Sequence, residues 1–561
     1  MDTLLFAAVV EALAKEIAGQ RVGIVVHPSP LWVEIGLGRG TLVFVLNPDN
    51  PVVFLSSRPP SGTKERSHFA WVLEQRLKGG RVKGVFRCSG DRVLGVVVSV
   101  RDRIGRVESY TLVAEIMGRH SNLVLLNQEG KVVEPLKKVH PDMSRVRHVL
   151  PGSAYHPPPP LKRMDPLTLN RERFLDIATS EGDLEEALKG ALSLPAYAVR
   201  EIVRRMGDRR GPEALLSAWE AWQEMRREVF KGRGYISQDG RLCTPFSLTG
   251  VGARELPLLK AVELFFEERQ HRQALEGARR ELVRALRRKV KSTEKAIAKE
   301  RVKAMEYAAE EAQRYQRWGE VILIHLNSIP KGCKVLEAED PFEPGNRISI
   351  PLEDGVPPTK VAQGYFKKAA KIRRKQEAAS RRLEELEQIK GFLDSLLWSV
   401  ESAESLEELK ALRRELVREG LLEKGKVKAK RQERDAPRML PYRVFLTQSG
   451  TQILVGRHPK GNEQITFKVA SRFDLWFHAR DFPGAHVILR DSNPAEEDIE
   501  KAAALAAYFS RARNSPKVEV VFTQRRYVKH PPKAPKGFVL YSKERSIAVV
   551  PCIPEGVVEK G

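Results

Sequence analysis

The feature that most constrains this chain is an apolar run, Leu386, Ile389, Leu393, Leu396 and Val400, spaced three, four, three and four residues apart. That is the heptad spacing of a helix that lays one narrow stripe against another helix. A single helix cannot bury such a stripe alone. The partner is an earlier stretch in which Leu264, Leu275, Ala278, Leu282 and Ala285 mark a second long helix. Between the two, residues 320–358 hold short β-rich runs at 321–325, 333–336 and 347–351. Helix, compact insert and return helix predict an antiparallel coiled-coil arm with a small knob at its tip. At about 1.5 Å of rise per residue, each arm helix spans several tens of ångströms.

The remaining sequence folds on either side of the arm, since 561 residues exceed what one hydrophobic core accommodates. Residues 1–160 read as a mixed α/β domain. Leu5, Val9, Leu13 and Ile17 mark a packed amphipathic helix, and strands are expected at 22–26, 31–35, 41–46, 93–100, 110–117 and 122–126. The Pro-rich segment 156–160 cannot be helical and closes this domain. A helical unit follows over 161–240, with helices at 184–192 and 196–206 around the turn Ser193-Leu194-Pro195. A helix-hairpin-helix aims backbone N–H groups at a phosphate from such a turn, but the usual Gly-rich hairpin is missing, and a plain packing unit reads equally well. The arm takes 241–320 and 359–432 around the insert at 321–358, and a basic stretch, 424–431, links it to a last α+β domain at 433–561. There a hairpin at 442–447 and 452–456 turns at Ser449-Gly450, followed by a helix at 502–512, a strand at 518–523 and a strand pair at 538–541 and 547–550. The fold class is multidomain α+β.

The formal net charge of +24 favours a polyanionic partner. No run of about 18 apolar residues exists to span a bilayer, and the first residues lack a basic leader. Cys88, Cys243, Cys333 and Cys552 lie far apart, with no CxxC pair, so a reducing cytosol is the expected location. No phosphate-binding GxxxxGK[ST] loop, GxSxG elbow or HExxH helix is present. His478 and His486, with Asp474 and Asp481 nearby, match no metal-ligand spacing. No catalytic residue, metal or cofactor is expected. A nuclease, a lesion glycosylase and a surface adhesin remain competing classes. A glycosylase of the N-terminal Pro-Glu type is disfavoured by Asp2-Thr3.

RNA is bound by cations on phosphates and by aromatic, His or Arg planes on exposed bases. The last domain interleaves these types, first in Trp476, His478, Arg480, Asp481 and His486, then in Arg525, Arg526, Tyr527 and Lys529, continuing to Lys533 and Lys536. Trp476 and its neighbour Phe477 serve equally well as core. In the first domain a strand runs into a Gly turn over Glu115, Ile116, Met117, Gly118, Arg119, His120 and Asn122, with Asp91-Arg92 heading another strand. Asp102-Arg103 has the same composition in a loop. On the arm, Lys367, Lys368, Lys371, Arg373 and Arg374 form a cluster with few balancing acids, either a solvated helix face or a contact to ribosomal RNA.

The stretches EIMGRHSN (115–122) and DLWFHARDFPGAH (474–486) resemble the signatures of the NFACT family, also labelled fibronectin-binding protein A-like. AQGYFKK (362–368) and PKGFVLY (535–541) extend the resemblance over essentially the whole chain. It implies an NFACT-N domain, a helix-hairpin-helix unit, an arm with a middle domain, and an NFACT-R domain. It further implies a non-enzymatic factor that binds a large ribosomal subunit still holding peptidyl-tRNA and recruits tRNA, alanyl-tRNA in bacteria. The ribosome itself then tails the blocked chain without mRNA. Asp91 and Arg92 are implied in tRNA contact, and the arm in reaching the stalk base. Two positions depart from the family pattern: His458-Pro459-Lys460-Gly461-Asn462-Glu463 replaces an Asn-rich loop, and Ala485 stands where Ser is usual.

Overall fold

The computed structural model describes all residues except 62–66, 89–91, 102–103, 160–161, 180–182, 210, 307–308, 344, 424–439, 533 and 561. Asp91, Asp102, Arg103, Lys533 and the basic stretch 424–431 lie outside the described residues. The chain divides into two compact units, Met1–Gln273 and Ala274–Gly561.

The first unit opens on α1 (Thr3–Ile17), capped by Asp2, whose carboxylate accepts from the N–H groups of Leu4 and Leu5. Leu4, Phe6, Val9, Leu13 and Ile17 are fully buried. The first half of α1 is apolar on nearly all sides, as a helix enclosed by other elements must be. Strands β1 (Val22–Ser29), β2 (Trp32–Leu37), β3 (Gly40–Val45) and β4 (Val52–Ser56) form an antiparallel sheet in chain order. After α2 (His68–Leu77), a second meander runs through β5 (Arg81–Arg87), β6 (Val93–Arg101), β7 (Val107–Glu115), β8 (Asn122–Leu126) and β9 (Val132–Pro135). Strand alternation splits its side chains between two cores. Leu94, Leu112 and Leu123 join the main core, and Val93, Val113 and Val124 pack under Val149 on the other face.

Helices α3 (Arg171–Thr179), α4 (Leu184–Ala191), α5 (Ala196–Met206) and α6 (Pro212–Val229) share the main core through Phe174, Leu188, Ile202 and Trp222. The stretch 241–257, expected to start the arm, is instead part of a sheet of β10 (Arg233–Ser237), β11 (Cys243–Thr244) and β12 (Ala253–Pro257). The long helix α7 (Leu258–Glu306) follows directly, and its first turns put Leu258, Ala261, Val262 and Phe266 into the main core. Leu264 packs there too, so it is not part of the arm seam.

In the second unit α7 continues and is followed by α8 (Ala309–Ile324), the hairpin β13 (Val335–Glu339) and β14 (Arg347–Pro351), α9 (Pro358–Ser402) and α10 (Leu406–Arg418). Residues 321–324 are helix, not strand. A short apolar run carries no period of its own, and here it continues the helix-forming residues before it. Val321 and Ile322 pack with Ile350 of the hairpin and with Ala362 and Tyr365 of α9, which forms the expected knob. Ion pairs Arg287–Glu401 (3.0 Å) and Arg301–Glu387 (2.7 Å) join α7 to α9 with the numbers running in opposite directions, so the two helices are antiparallel. Leu282 and Leu286 meet Leu393, Leu396 and Val400 and the α10 residues Leu409, Leu412 and Leu416. Ile389 is not in this seam: it is 37% exposed.

The C-terminal sheet has the order β22-β19-β17-β18-β16-β15-β23. Its strands are β15 (Tyr442–Leu446), β16 (Gln452–Gly456), β17 (Leu475–Ala479), β18 (Val487–Leu489), β19 (Val518–Gln524), β22 (Arg545–Val549) and β23 (Val558–Glu559), with β20 (Val528–Lys529) and β21 (Leu540–Tyr541) forming a separate small pair. Short α11 (Pro459–Gln464) leads into a π turn, Ile465–Val469, and α12 (Glu496–Tyr508) lies across one face of the sheet. The stretches 538–541 and 547–550 do not pair with each other. β21 bonds to β20 and β22 to β19, where Ile547 and Val549 reach the core under α12. Acidic groups at and beside α10 hold this domain: Glu404 and Glu408 pair with Arg443 (2.9 and 3.7 Å), Glu408 also with Arg457, and Glu419 with Lys536 (2.5 Å).

Candidate RNA interfaces

In the first unit the EIMGRHSN segment is divided by burial. β7 ends on Glu115, which is 0% exposed. Both its oxygens accept from Arg147, at 2.7 and 2.6 Å, and Tyr155 donates a third bond at 2.8 Å. Burial together with the Glu115 charge pushes the Tyr155 phenol well above its ordinary range. Ile116 is fully buried, and its N–H bonds the Arg92 carbonyl at 2.8 Å. Asn122 is buried too; its side chain donates to the Lys137 carbonyl and accepts from the N–H groups of Lys137 and Leu123. Glu115, Ile116 and Asn122, expected as RNA contacts, are therefore structural: their polar groups are consumed inside the fold. Met117 is half-buried and its N–H bonds Ser121. Gly118 adopts a φ of 62° that lets the chain turn, and this carries Arg119 and His120 outward.

Arg92 lines a cleft of ≈490 Å³ with Asp2, Thr3, Lys162, Arg163, Ser193, Leu194 and Pro195. Its guanidinium donates to the Met1 carbonyl at 3.1 Å. The Asp2 carboxylate is engaged by α1 and by the Tyr197 hydroxyl, at 2.7 Å. Pro195 precedes α5 and supplies no side-chain cap, and its carbonyl accepts from the Ala198 N–H at 2.9 Å. Lys162 and Arg163 are exposed. Three cations and an uncapped helix start suit a phosphate. Lys162 and Arg163 were not singled out from the sequence; they sit just after the Pro-rich linker with no motif around them.

In the C-terminal domain β17 sends Trp476 and Phe477 to opposite faces of a sheet covered on both sides. Each is 0% exposed. Phe477 stacks on Phe522 under α12, and Trp476 packs with Leu454, Ile465, Ile488 and Val521 on the other face. Trp476 is thus core and offers no free face to a base. His486 is also interior, bonded through Nδ1 to Thr466 Oγ1 at 2.9 Å. His478 stacks on Trp476 at 5.8 Å and meets His486 edge-on at 5.6 Å. Burial lowers the His478 imidazole to about 4 and drives that of His486 well below its usual value. Among the described residues, no group of three or more His, Cys, Asp or Glu could hold a metal ion.

Half-buried Arg480 and Arg525 and exposed Asp481, Arg526 and Lys529 surround this interior. Arg480 pairs with Glu519 at 3.0 Å, and Asp481 is held at a φ of 62°. Arg525 donates to the Thr466 carbonyl at 2.8 Å and lies over Phe467. Arg526 and Lys529 face solvent. In the departed loop, His458 caps α11 and pairs with Glu415 at 3.1 Å, while Ala485 is buried. On the arm, Lys367, Lys368, Lys371, Arg373 and Arg374 are exposed. Lys368 covers the rings of Tyr315 and Tyr365 in the knob, at 5.7 and 5.2 Å.

The paired histidines give a pH prediction. Both are neutral in the folded domain, and an unfolded imidazole titrates near 6.5. Because the folded values are depressed, the associated stability is fully present above pH 6.5 and is lost as pH falls toward about 4. Thermal unfolding should show a loss on the order of 3 kcal/mol across that window from His478 alone, and His478→Gln should make the profile shallower while His486 keeps part of it. An unmodified protein with a flat profile there would contradict the buried neutral pair.

Three sheets and a helical group in one unit, and a knobbed arm with a cation- and aromatic-bearing sheet domain in the other, define a modular RNA-binding protein. The chain belongs to the NFACT family: residues 2–435 match the NFACT N-terminal and middle domains, and residues 443–532 match the NFACT protein RNA binding domain. Among curated relatives, the Rqc2 homolog RqcH of Bacillus subtilis is 30% identical, covering 91% of this chain and 90% of its own. The Rqc2 homolog RqcH of Streptococcus suis is 27% identical, over 86% and 85%. Among solved structures, the C-terminal part of a fibronectin/fibrinogen-binding protein from Streptococcus suis is 27% identical, covering 50% of this chain and 96% of that one, with a TM-score of 0.38. No described helix is long and apolar enough to cross a membrane.

Proposed function

We propose that this protein is a cytoplasmic ribosome-associated quality-control factor. It binds a stalled large ribosomal subunit carrying peptidyl-tRNA and recruits tRNA, alanyl-tRNA in particular, for mRNA-independent C-terminal tailing. Peptidyl transfer is left to the ribosome. Support comes from relatives that carry the Rqc2-homologue name over most of this chain and from the RNA-binding domain match. The observation that carries the reading is the cleft where Arg92, Lys162 and Arg163 converge beside the uncapped start of α5. It suits the tRNA backbone, with the exposed Arg119 and His120 completing the contact. The exposed arm cluster Lys367, Lys371, Arg373 and Arg374 suits ribosomal RNA near the stalk base.

The test reverses charge where the fold is indifferent. Lys162→Glu with Arg163→Glu, both at exposed positions, should leave the melting temperature unchanged. Losing two phosphate contacts should cut tRNA recovery roughly tenfold or more. Large subunits should still co-purify, and tail addition should fall with the tRNA. Normal tRNA recovery and normal tailing from the reversed protein would move the tRNA site elsewhere.

A further inference from the structure

The RNA-binding domain carries an aromatic and cationic ladder that crosses its surface and enters its interior. At one end Phe473, a large apolar ring, is 50% exposed. Arg526 lies over it at 5.2 Å and over Tyr527 at 4.8 Å. Lys543 covers the same Tyr527 ring at 4.9 Å. The Ser542 N–H bonds the Tyr527 carbonyl at 3.2 Å, which ties Lys543 and Tyr541 to this point. Tyr541 is 37% exposed, and its inner face meets buried Trp476 at 5.3 Å. Trp476 then stacks on His478 with the ring planes only 9° apart. One end of the ladder is thus anchored in the core, and its two outer rings are open to solvent.

Two further observations set this surface apart. Among the described residues, Asp481 (φ 62°) and Lys543 (φ 53°) are the non-glycine residues with left-handed backbone. Lys543 is two residues on from Tyr541, whose hydroxyl is pushed up by burial, with Arg480, Glu544 and Asp481 also bearing on it. Such conformations cost free energy and gather where a side chain must be held for function. Second, among the described residues neither Arg526 nor Lys543 pairs with a carboxylate. Arg526 and Lys543 are exposed and lie on aromatic faces, as guanidinium and ammonium groups do where phosphates pass beside stacked bases.

We propose that this ladder is a stacking track for an unpaired RNA strand, with bases on Tyr541 and Phe473 and the intervening phosphates on Lys543 and Arg526. The inference rests on the RNA-binding reading and specifies its substrate class. Rings standing in solvent stack on splayed bases, whereas the bases of a duplex turn their faces to each other. A single strand is therefore the occupant that matches both the rings and the cations.

The full chain is titrated against a fluorescent unstructured oligouridylate and against a blunt RNA duplex of equal length, with anisotropy as the readout. The single strand should bind more tightly. Tyr541→Ala and Phe473→Ala should each weaken the strand roughly five- to hundredfold and leave the duplex unchanged, and Tyr541→Phe should restore binding. Lys543→Gln, at an exposed site, provides a variant whose folding is not in question and should also weaken the strand. Unchanged strand affinity in Tyr541→Ala and Phe473→Ala overturns the track, while large-subunit co-purification by the same variants would leave the wider function standing. Equal losses on strand and duplex also overturn it, since stacking spares the duplex. Failure of the unmodified protein to bind either RNA or large subunits would remove the RNA-binding reading itself. Capture of a protein at the exposed Phe473 and Tyr541 surface, with no effect of the substitutions on either RNA, would replace the strand with a polypeptide partner.

Discussion

Leu393→Lys should open the arm and abolish large-subunit binding, while Ile389→Lys should do neither. Leu393 is 2% exposed and lies among Leu282, Leu286, Leu396 and Val400, under the α10 residues Leu409 and Leu412. Removing a buried leucine costs about 2–5 kcal/mol through lost transfer and the cavity left behind. A buried ammonium with no partner adds several more. The loss should also reach the C-terminal domain, because Glu404, Glu408 and Glu419 hold it through Arg443, Arg457 and Lys536, and α10 is itself held by this seam. Ile389 is 37% exposed, between Glu387, paired with Arg301, and Lys390, paired with Glu294. A lysine there extends into water at a cost within about 1 kcal/mol. Circular dichroism melts of both variants, with sedimentation on purified large subunits, provide the comparison. Similar melting of Leu393→Lys and the unmodified chain would mean that the seam does not hold the arm.

Ile389 also shows why the arm was legible only in outline. The spacing of Leu386, Ile389, Leu393, Leu396 and Val400 announces two packed helices, and the antiparallel pair is there. A straight helix turns every 3.6 residues or so, however, and drifts about 20° per heptad from the ideal seam. Which member of the run rotates outward depends on the partner, and the partner's seam begins only at Leu275, because Leu264 belongs to the first unit's core. Local turn chemistry was more informative. The strands at 122–126, 347–351 and 452–456 and the helix at 196–206 follow their sequence expectations closely, since glycine, proline or asparagine brackets each of them. The sites were less legible. The cations and rings of DLWFHARDFPGAH are visible as composition, but burial sorts them: Trp476 and His486 go inside, Arg480 is half-buried and Asp481 stays out. Phe473, Arg526 and Tyr541 come from three separate segments, and their assembly depends on strand order and on two positive-φ residues that no spacing rule identifies.

The same sorting makes Arg147→Met the most damaging expected change in the first unit, although Arg147 carries no sequence signal at all. Glu115 is 0% exposed, and Arg147 satisfies both its oxygens. Truncating the cation leaves a carboxylate in the interior with only the Tyr155 hydroxyl as donor. Removing one partner of a buried pair costs about 3–5 kcal/mol, because the remaining charge is uncompensated. Glu115→Met with Arg147→Met should recover much of that loss, since two apolar chains of similar length refill the site without the stranded charge. This separates structure from binding within EIMGRHSN. Glu115→Ala should lose tRNA because the strand end that leads into Gly118 and Arg119 loosens, and its melting temperature should fall in step. Arg119→Ala with His120→Ala changes only exposed side chains, so any loss of tRNA there should come at an unchanged melting temperature. Thermal melts and tRNA recovery measured on all four proteins test the division. If Arg147→Met melts with the unmodified protein, the Glu115 pair is not what holds this strand end, and the case for Glu115 as a direct RNA contact reopens.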